Sequence, residues 1–174
     1  ADILDGQLAL DQTAKALTAA RALGAVTVLC ASYKCSEAAK TISFLEGVSE
    51  VLVADSESYQ RGLAEPLSHL ITSISSKFTH IVCPATALGK NVMPRTAALL
   101  DVMIISDVSK ILSADTFERP IYAGNALQEV QSSDKIKICT IRTSGYSATS
   151  SGSGTAPVKQ LEAQSNPNLS KWVE

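Results

Sequence analysis

The chain of 174 residues contains few aromatic residues, few charged residues and no long apolar run. Charged residues make up 18% of it and the formal net charge is -2, so it lacks the basic surplus that attracts proteins to nucleic acids or anionic membranes. No apolar stretch approaches the roughly 20 residues that a membrane-spanning helix needs. The sequence therefore argues against nucleic-acid binding and against membrane insertion.

Cysteine and histidine are scarce, and their spacing indicates no metal site. Four cysteines occur without any CxxC spacing: Cys30, Cys35, Cys83 and Cys139. Three of the four lie in apolar, strand-like runs, which is typical of reduced, buried thiols. His69 and His80 share no metal-ligand pattern with these thiols, and we expect His69 on a helix surface and His80 at the polar start of a strand.

The usual catalytic motifs are also missing. The sequence has no nucleophile elbow, no HExxH, no paired-carboxylate motif and no GxGxxG after a strand. The glycines of SGSG lie in a Ser-rich stretch without a phosphate-binding context. We therefore predict no catalytic residue in this chain and do not expect it to be an enzyme.

Helical and strand-like patterns alternate over the first hundred residues. Helices are predicted at 11–23, 36–45 and 61–76, apolar strands at 26–31, 50–54 and 81–83, and a further helix from near Lys90. Strands of a parallel sheet that helices cover on both faces are apolar throughout, as these are. The pattern predicts a doubly wound, mainly parallel α/β sheet.

The first predicted element is a helix, whereas an α/β domain normally opens with a strand. Ala1 and Asp2 lead directly into the turn-like sequence LDGQ and then into that helix. We therefore expect that a strand precedes Ala1.

The rhythm changes after residue 100. Strand-like segments at 102–108, 117–123, 126–131 and 136–142 follow one another with turn sequences between them and no helical stripe. Strands joined this tightly are expected to pair antiparallel. The sequence predicts an antiparallel β-rich C-terminal part added to the parallel sheet.

Two regions of different composition divide the chain. We assign 1–143 to one N-terminal α/β domain, and 144–174 to a Ser- and Gly-rich flexible linker with a tail that leads towards a missing second domain. The tail holds Trp172, the only tryptophan, so it carries enough apolar surface to dock one short segment.

The loop around Gly89 is the strongest candidate site. Gly89 allows a left-handed backbone or a close backbone approach, Lys90 and Arg95 bring positive charge, and Asn91 can cap a helix. Because the loop follows a strand and precedes a helix, it fits an anion or nucleotide pocket.

A structural role is the alternative for the same residues. Lys90 and Arg95 would then form salt bridges to acids of this chain or of a partner, and Pro94 would rigidify the start of the helix. Asp107 is the natural partner for Arg95 if the following strand ends nearby.

Several linked motifs, in order, resemble the N-terminal domain of the α subunit of electron-transfer flavoproteins. The motifs are PATALGKN and LGKNVMPR up to Arg95, ISDV at 105–108, DTFERPIYAGNAL at 115–127 and ICTIR ending at Arg142. The resemblance covers nearly the whole chain, and the Ser-rich segment followed by SKWVE is similar to the family's bridge to its second domain.

The resemblance implies a Rossmann-like fold of the adenine nucleotide alpha hydrolase type and a role in electron transfer. It implies a heterodimer with a β subunit that carries electrons from acyl-CoA dehydrogenases and other dehydrogenases of fatty acid β-oxidation, through one FAD, to a membrane quinone oxidoreductase and the respiratory chain. In that family the FAD lies mainly in the C-terminal domain of the α subunit, so we expect none in this fragment, and AMP in the β subunit. The expected location is the mitochondrial matrix in a eukaryote and the cytoplasm otherwise.

For this chain the resemblance implies a scaffold that packs against the β subunit, without catalytic, cofactor-binding or metal-binding residues. The positions with an implied structural or interface role are Gly89, Lys90, Asn91, Pro94, Arg95, Asp107, Tyr122, Gly124 and Asn125. A stand-alone nucleotide-binding α/β module that uses the loop at 89–95 remains the alternative function.

Overall fold

A computed structural model describes residues 1–173 of the chain. The helices are α1 (Leu10–Ala20), α2 (Ser36–Ser43), α3 (Ala64–Ile74) and α4 (Ala87–Leu99). The strands are β1 (Ile3–Leu4), β2 (Gln7–Leu8), β3 (Val26–Ser32), β4 (Val48–Asp55), β5 (His80–Pro84), β6 (Ile104–Val108), β7 (Lys110–Ile111), β8 (Thr116–Ile121), β9 (Ala126–Gln131), β10 (Lys137–Ile141) and β11 (Val158–Gln160). None of these helices has the length and apolar content to span a bilayer.

Two parallel three-stranded sheets form the centre, in the orders β11–β4–β3 and β5–β10–β6. Side chains alternate between the two faces of a strand, and helices cover both faces of each sheet. Val28 of β3 lies in a core with α1 and α2, whereas its neighbour Leu29 packs with α3 and α4. The same division holds for Cys139 and Ile138 of β10, which pack against α1 and α4 respectively. The predicted doubly wound, mainly parallel α/β fold is confirmed.

The position of β10 differs from the prediction. Segments 102–108 and 136–142 were expected to pair antiparallel with their neighbours, but β10 lies between β5 and β6 and runs parallel to both. The physical reason is burial, since Ile138, Cys139, Thr140 and Ile141 are all buried and only a central slot covers both faces of such a strand. Antiparallel pairing holds for β7, β8 and β9, which form a separate small sheet.

The Ser-rich segment and the tail run along the edge of the first sheet. Backbone hydrogen bonds join Ser150 to Glu46 and Ala156 to Ser43, and β11 pairs with β4 in parallel. These residues are ordered despite their low apolar content, because β11 forms backbone hydrogen bonds with the otherwise unpaired edge of β4. The division of the chain at residues 143 and 144 stays a prediction.

Candidate functional site

Gly89 lies inside the first turn of α4, close to the end of β5. The helix begins at Ala87 and not near Lys90, because the hydroxyl of Thr86 accepts a hydrogen bond from the backbone N–H of Gly89 at 3.3 Å. A β-carbon at position 89 would lie 2.0 Å from the carbonyl oxygen of Pro84. Of the two roles predicted for this glycine, the structure therefore has the close approach and not a left-handed turn.

Lys90 and Asn91 lie on the exposed side of α4. Asn91 is not the helix cap, which is Thr86, so that prediction is wrong. Pro94 was expected to rigidify the helix start, but it lies in the helix interior. Its ring is exposed to solvent, and the missing N–H leaves the carbonyl of Lys90 without its helical donor.

Arg95 is remote from the end of the helix that could bind an anion. It lies eight residues after Ala87, which places it about 12 Å along the helix axis. The hydrogen bond from the Ser170 hydroxyl is the main reason that the pKa of Glu65 is lowered, and the charge of Arg95 adds in the same direction. Arg95 therefore faces α3 and the tail, and its buried Nε has no hydrogen-bond partner within the described part of the chain.

Asp107 does not pair with Arg95, contrary to prediction. Its carboxylate lies 3.3 Å from the guanidinium of Arg142, at the carboxyl ends of β6 and β10. Its backbone has a φ of 62°, in the left-handed region, and its N–H donates to the hydroxyl of Thr140 at 2.8 Å. Because the pair is partly exposed, it contributes little to the stability of the fold. Its main effect is to orient the ends of β6 and β10.

The tip of the β8–β9 hairpin holds the remaining candidate residues. Tyr122, Ala123 and Gly124 all have positive φ, and Asn125 follows them directly. Tyr122 is 80% exposed and Leu127, on β9, is 65% exposed. This tip is a sharp turn that presents a large aromatic side chain to solvent.

The candidate residues therefore do not form one site. Helix α4 carries Gly89, Lys90, Asn91, Pro94 and Arg95, whereas Asp107 is the penultimate residue of β6 and Tyr122 lies at the tip of the β8–β9 hairpin.

Sequence reasoning missed the side chains that lie at the amino ends of α2 and α4. The carboxylate of Asp55, at the end of β4, accepts hydrogen bonds from the N–H groups of Lys34 and Cys35 at the start of α2, at 2.8 and 3.1 Å. Burial, and then this carboxylate, raises the pKa of the Cys35 thiol. The carboxylate of Asp55 thus lies beside the amino end of α2, which has no side-chain cap, whereas α4 is capped by Thr86. The available signal was the Asp that ends β4, because β4 pairs with the strand that leads into α2.

These arrangements do not fit a dinucleotide. Helix N-termini that bind a pyrophosphate need free N–H groups and space for the phosphate. In α4 the hydroxyl of Thr86 caps the first turn, and beside the start of α2 the carboxylate of Asp55 opposes a second anion. A depression of about 330 Å³ near β1 carries the carboxylates Asp2 and Asp5, which repel phosphate. No group of three or more His, Cys, Asp or Glu residues suited to a metal ion occurs within residues 1–173.

Residues 7–166 match the family described as "Electron transfer flavoprotein domain". The chain is 53% identical over 172 residues to the electron transfer flavoprotein subunit alpha of Paracoccus denitrificans, covering 99% of this chain and 56% of the relative. It is 52% identical to the subunit alpha of Bradyrhizobium diazoefficiens, with 94% and 52% covered. A mitochondrial subunit alpha from Dictyostelium discoideum is 38% identical, with 97% and 50% covered. The chain spans about half the length of the curated relatives that it matches.

Proposed function

This chain belongs to the electron transfer flavoprotein family, as an N-terminal domain of its alpha subunit, and we propose that it is the scaffold through which that subunit binds its β subunit. The family name describes electron transfer, and we infer that the chain is part of a carrier and not of a catalyst of substrate turnover. The function of the domain is therefore to hold other parts in place. The redox chemistry belongs to a flavin bound outside these residues.

The observation that supports an interface most directly is the β8–β9 hairpin. It places Tyr122 and Leu127 in solvent, although large apolar side chains are usually buried. Tyr is enriched at protein interfaces because one rigid side chain supplies both apolar area and a hydroxyl. Strand β9 also forms the open edge of its sheet within the described chain, which offers unpaired backbone groups to a partner.

The wider proposal concerns the complete carrier. We infer that it accepts electrons from acyl-CoA dehydrogenases and other dehydrogenases and passes them to a quinone oxidoreductase through one FAD, with AMP bound in the β subunit. The relatives' names support the flavin, and the Asp55 carboxylate beside α2 and the Thr86 cap of α4 support a flavin site elsewhere. The eukaryotic relatives are named mitochondrial, which supports the mitochondrion as the location in a eukaryote. We infer the matrix there and the cytoplasm in a bacterium.

A stand-alone nucleotide-binding module is not favoured. That function would need Gly89, Lys90 and Arg95 around one phosphate, but Gly89 is packed against Pro84 and Arg95 lies about 12 Å along the helix. Lys90 alone supplies a point charge on an exposed helix surface.

The test is to mix the purified chain with the β subunit of an electron transfer flavoprotein and to measure the mass of the complex by sedimentation. We expect a one-to-one heterodimer. Replacing Tyr122→Ser and Leu127→Ser together should weaken it by about tenfold or more, because exposed aromatic anchors carry much of an interface's binding energy. Phe44→Ser is the matched control, since Phe44 is also an exposed apolar residue, 40% accessible, but follows α2 at the other end of the molecule. Absence of a complex, or equal effects of the hairpin and control substitutions, would reject the proposed interface.

A further inference from the structure

The small antiparallel sheet of β7, β8 and β9 carries the hairpin tip, so the contacts that hold this sheet also set the direction of Tyr122. The middle of β8 is packed on the parallel sheet. The side chain of Phe117 is fully buried, and Nη2 of Arg119 donates a hydrogen bond to the hydroxyl of Ser106 on β6 at 3.2 Å. A sheet that is held only near its middle can tilt about that point. Its orientation therefore depends on a further contact towards one end of β8.

His80, the first residue of β5, supplies a contact at the end of β8 that is remote from the hairpin tip. Its Nε2 lies 2.6 Å from the carbonyl oxygen of Ala114, in the turn between β7 and β8. Its Nδ1 lies 2.9 Å from the hydroxyl oxygen of Thr79. Its ring also meets the ring of Phe117 edge to face, with the ring centroids 6.5 Å apart. Both ring nitrogens and the ring itself are thus engaged.

The hydrogen bonds determine which nitrogen of neutral His80 carries the proton. A carbonyl oxygen can only accept a hydrogen bond, so Nε2 donates to Ala114. Neutral imidazole has a single N–H, and Nδ1 therefore accepts a hydrogen bond from the hydroxyl of Thr79. The backbone carbonyl of Thr79 in turn accepts from the N–H of Lys137, at the start of β10, at 2.9 Å. The contact thus connects the turn, through β5, to the central strand β10.

The turn is also bonded to β9, the strand that follows the hairpin tip. The carboxylate of Asp115 accepts hydrogen bonds from the hydroxyls of Ser113 and Thr116, at 2.6 and 2.8 Å. It also accepts one from the side-chain amide of Gln131, the last residue of β9, at 2.8 Å. The turn, the start of β8 and the end of β9 therefore form one bonded unit. A contact at Ala114 consequently restrains the whole β8–β9 hairpin.

We infer that His80 is a positioning residue for the surface formed by Tyr122 and Leu127. As the Nε2–H tautomer, it holds the β7–β8 turn against β5 and so fixes the angle at which the hairpin tip meets the β subunit. Strand β8 has six residues and spans about 20 Å between the turn and the tip. A displacement of the turn about the packed middle of β8 therefore moves the tip by a similar distance. The inference rests on the proposed interface, because His80 acts on binding only through the hairpin.

Two substitutions separate the hydrogen bond of His80 from its ring. His80→Phe keeps an aromatic ring beside Phe117 but removes the N–H donor, whereas His80→Gln keeps an amide N–H close to the position of Nε2. His69→Phe is the matched control, because His69 lies on the exposed surface of α3. Urea unfolding establishes first that each variant folds.

The tilt of the small sheet can be measured directly. Residual dipolar couplings of the backbone amides of β8 and β9, compared with those of β10, report its orientation. We expect a changed tilt in His80→Phe, and the couplings of the unsubstituted chain in His80→Gln and His69→Phe. An unchanged tilt in a folded His80→Phe variant would overturn the inference.

The tautomer is determined in the unsubstituted chain. At about pH 8, where imidazole is ordinarily neutral, nitrogen-15 spectra should show a protonated Nε2 and an unprotonated Nδ1 for His80. The Nε2 proton of His80 should also exchange with solvent more slowly than the ring proton of His69, which is exposed. The Nδ1–H tautomer would overturn the inference, even if every His80 variant failed to fold.

Sedimentation with the β subunit measures the effect on binding. His80→Phe should weaken the heterodimer by about fivefold, because the hydrogen bond to Ala114 is the restraint that is lost, and His80→Gln should restore binding to within about twofold. His69→Phe should bind as the unsubstituted chain does. A heterodimer that Tyr122→Ser and Leu127→Ser weaken but His80→Phe does not would overturn the inference and leave the proposed interface intact. If the unsubstituted chain formed no heterodimer, both would be rejected.

Discussion

Gly89 packs so closely on Pro84 that a β-carbon on residue 89 would come within 2.0 Å of the Pro84 carbonyl oxygen. The contact joins the first turn of α4 to the last residue of β5. It explains why glycine occupies a helical position without a positive φ, where alanine normally has the higher helix propensity.

Gly89→Ala should therefore destabilise the chain by about 1–3 kcal/mol, because the helix must move away from β5. Gly154→Ala is the control, since a β-carbon there meets no atom within 4 Å. Urea unfolding measures both. If Gly89→Ala were neutral or stabilising, α4 would separate easily from β5. The turn between them would then be a flexible loop.

Local pattern predicted most elements of the fold. Segment 126–131 coincides with β9, and 26–31 differs from β3 by one residue, because alternating or continuous apolar character is encoded in the segment itself. The place of β10 was not predictable in this way. Its central position depends on burying both faces against α1 and α4, which are far from it in sequence.

The candidate site was predicted less well than the fold. The residue types indicated that Gly89 is a position of close backbone approach. They did not indicate that Thr86, three residues earlier, caps helix α4. The partner of Asp107 was also missed. A long arginine side chain can reach several carboxylates. Asp107 pairs with Arg142 and not with Arg95 because β10, which ends beside Arg142, is the neighbour of β6.

The pairing of Asp107 can be tested by double-mutant cycles. Asp107→Asn and Arg142→Ala should show a coupling of about 0.2–1 kcal/mol, because the pair is partly exposed. Asp107→Asn and Arg95→Ala should be additive. Thr140→Val should lower the free energy of unfolding by more, about 1–3 kcal/mol. The buried hydroxyl of Thr140 accepts the hydrogen bond from the N–H of Asp107, and valine cannot. Coupling between Arg95 and Asp107 would contradict the observed pairing.

Buried thiols give the chain a predicted sensitivity to alkaline pH. Burial raises the pKa of Cys139 to about 12 and that of Cys30 to about 11, from an ordinary value of 9.0. The folded state thus favours the neutral thiol. Its contribution is complete below pH 9, where unfolded thiols are also neutral, and is lost as the pH rises from about 9 through the folded-state pKa values.

The free energy of unfolding should therefore be flat between about pH 7 and 8 and fall above pH 9, by about 1 kcal/mol per buried thiol at pH 10. Urea titrations at pH 8, 9 and 10 measure the change. Cys139→Val, which cannot ionise, should lose less stability over this range than the unsubstituted chain. Identical slopes for the two proteins would contradict the assignment of this loss to Cys139.

The chain alone should bind no free nucleotide tightly. The carboxylate of Asp55 beside the start of α2 repels phosphate, and Thr86 caps the first turn of α4, so ATP, AMP and FAD find no favourable cradle for their phosphates. Calorimetric titration of each ligand should show no saturable binding at micromolar concentrations, and the purified chain should be colourless. Saturable binding that Lys90→Ala abolishes would instead support the nucleotide-binding module.

The tail offers a last test, because its only tryptophan reports on docking. Gln164 donates its N–H to the hydroxyl of the fully buried Tyr59 at 2.8 Å, and the ring of Trp172 lies 5.6 Å from the guanidinium of Arg61. Tyr59→Phe removes the acceptor and should free the tail locally, so that acrylamide quenches Trp172 fluorescence more strongly. Tyr33→Phe is the control, since Tyr33 is not among the tail's hydrogen-bond partners. Equal quenching in both variants would mean that the hydroxyl of Tyr59 does not hold the tail, and would favour 144–174 as the independent linker that its composition indicates.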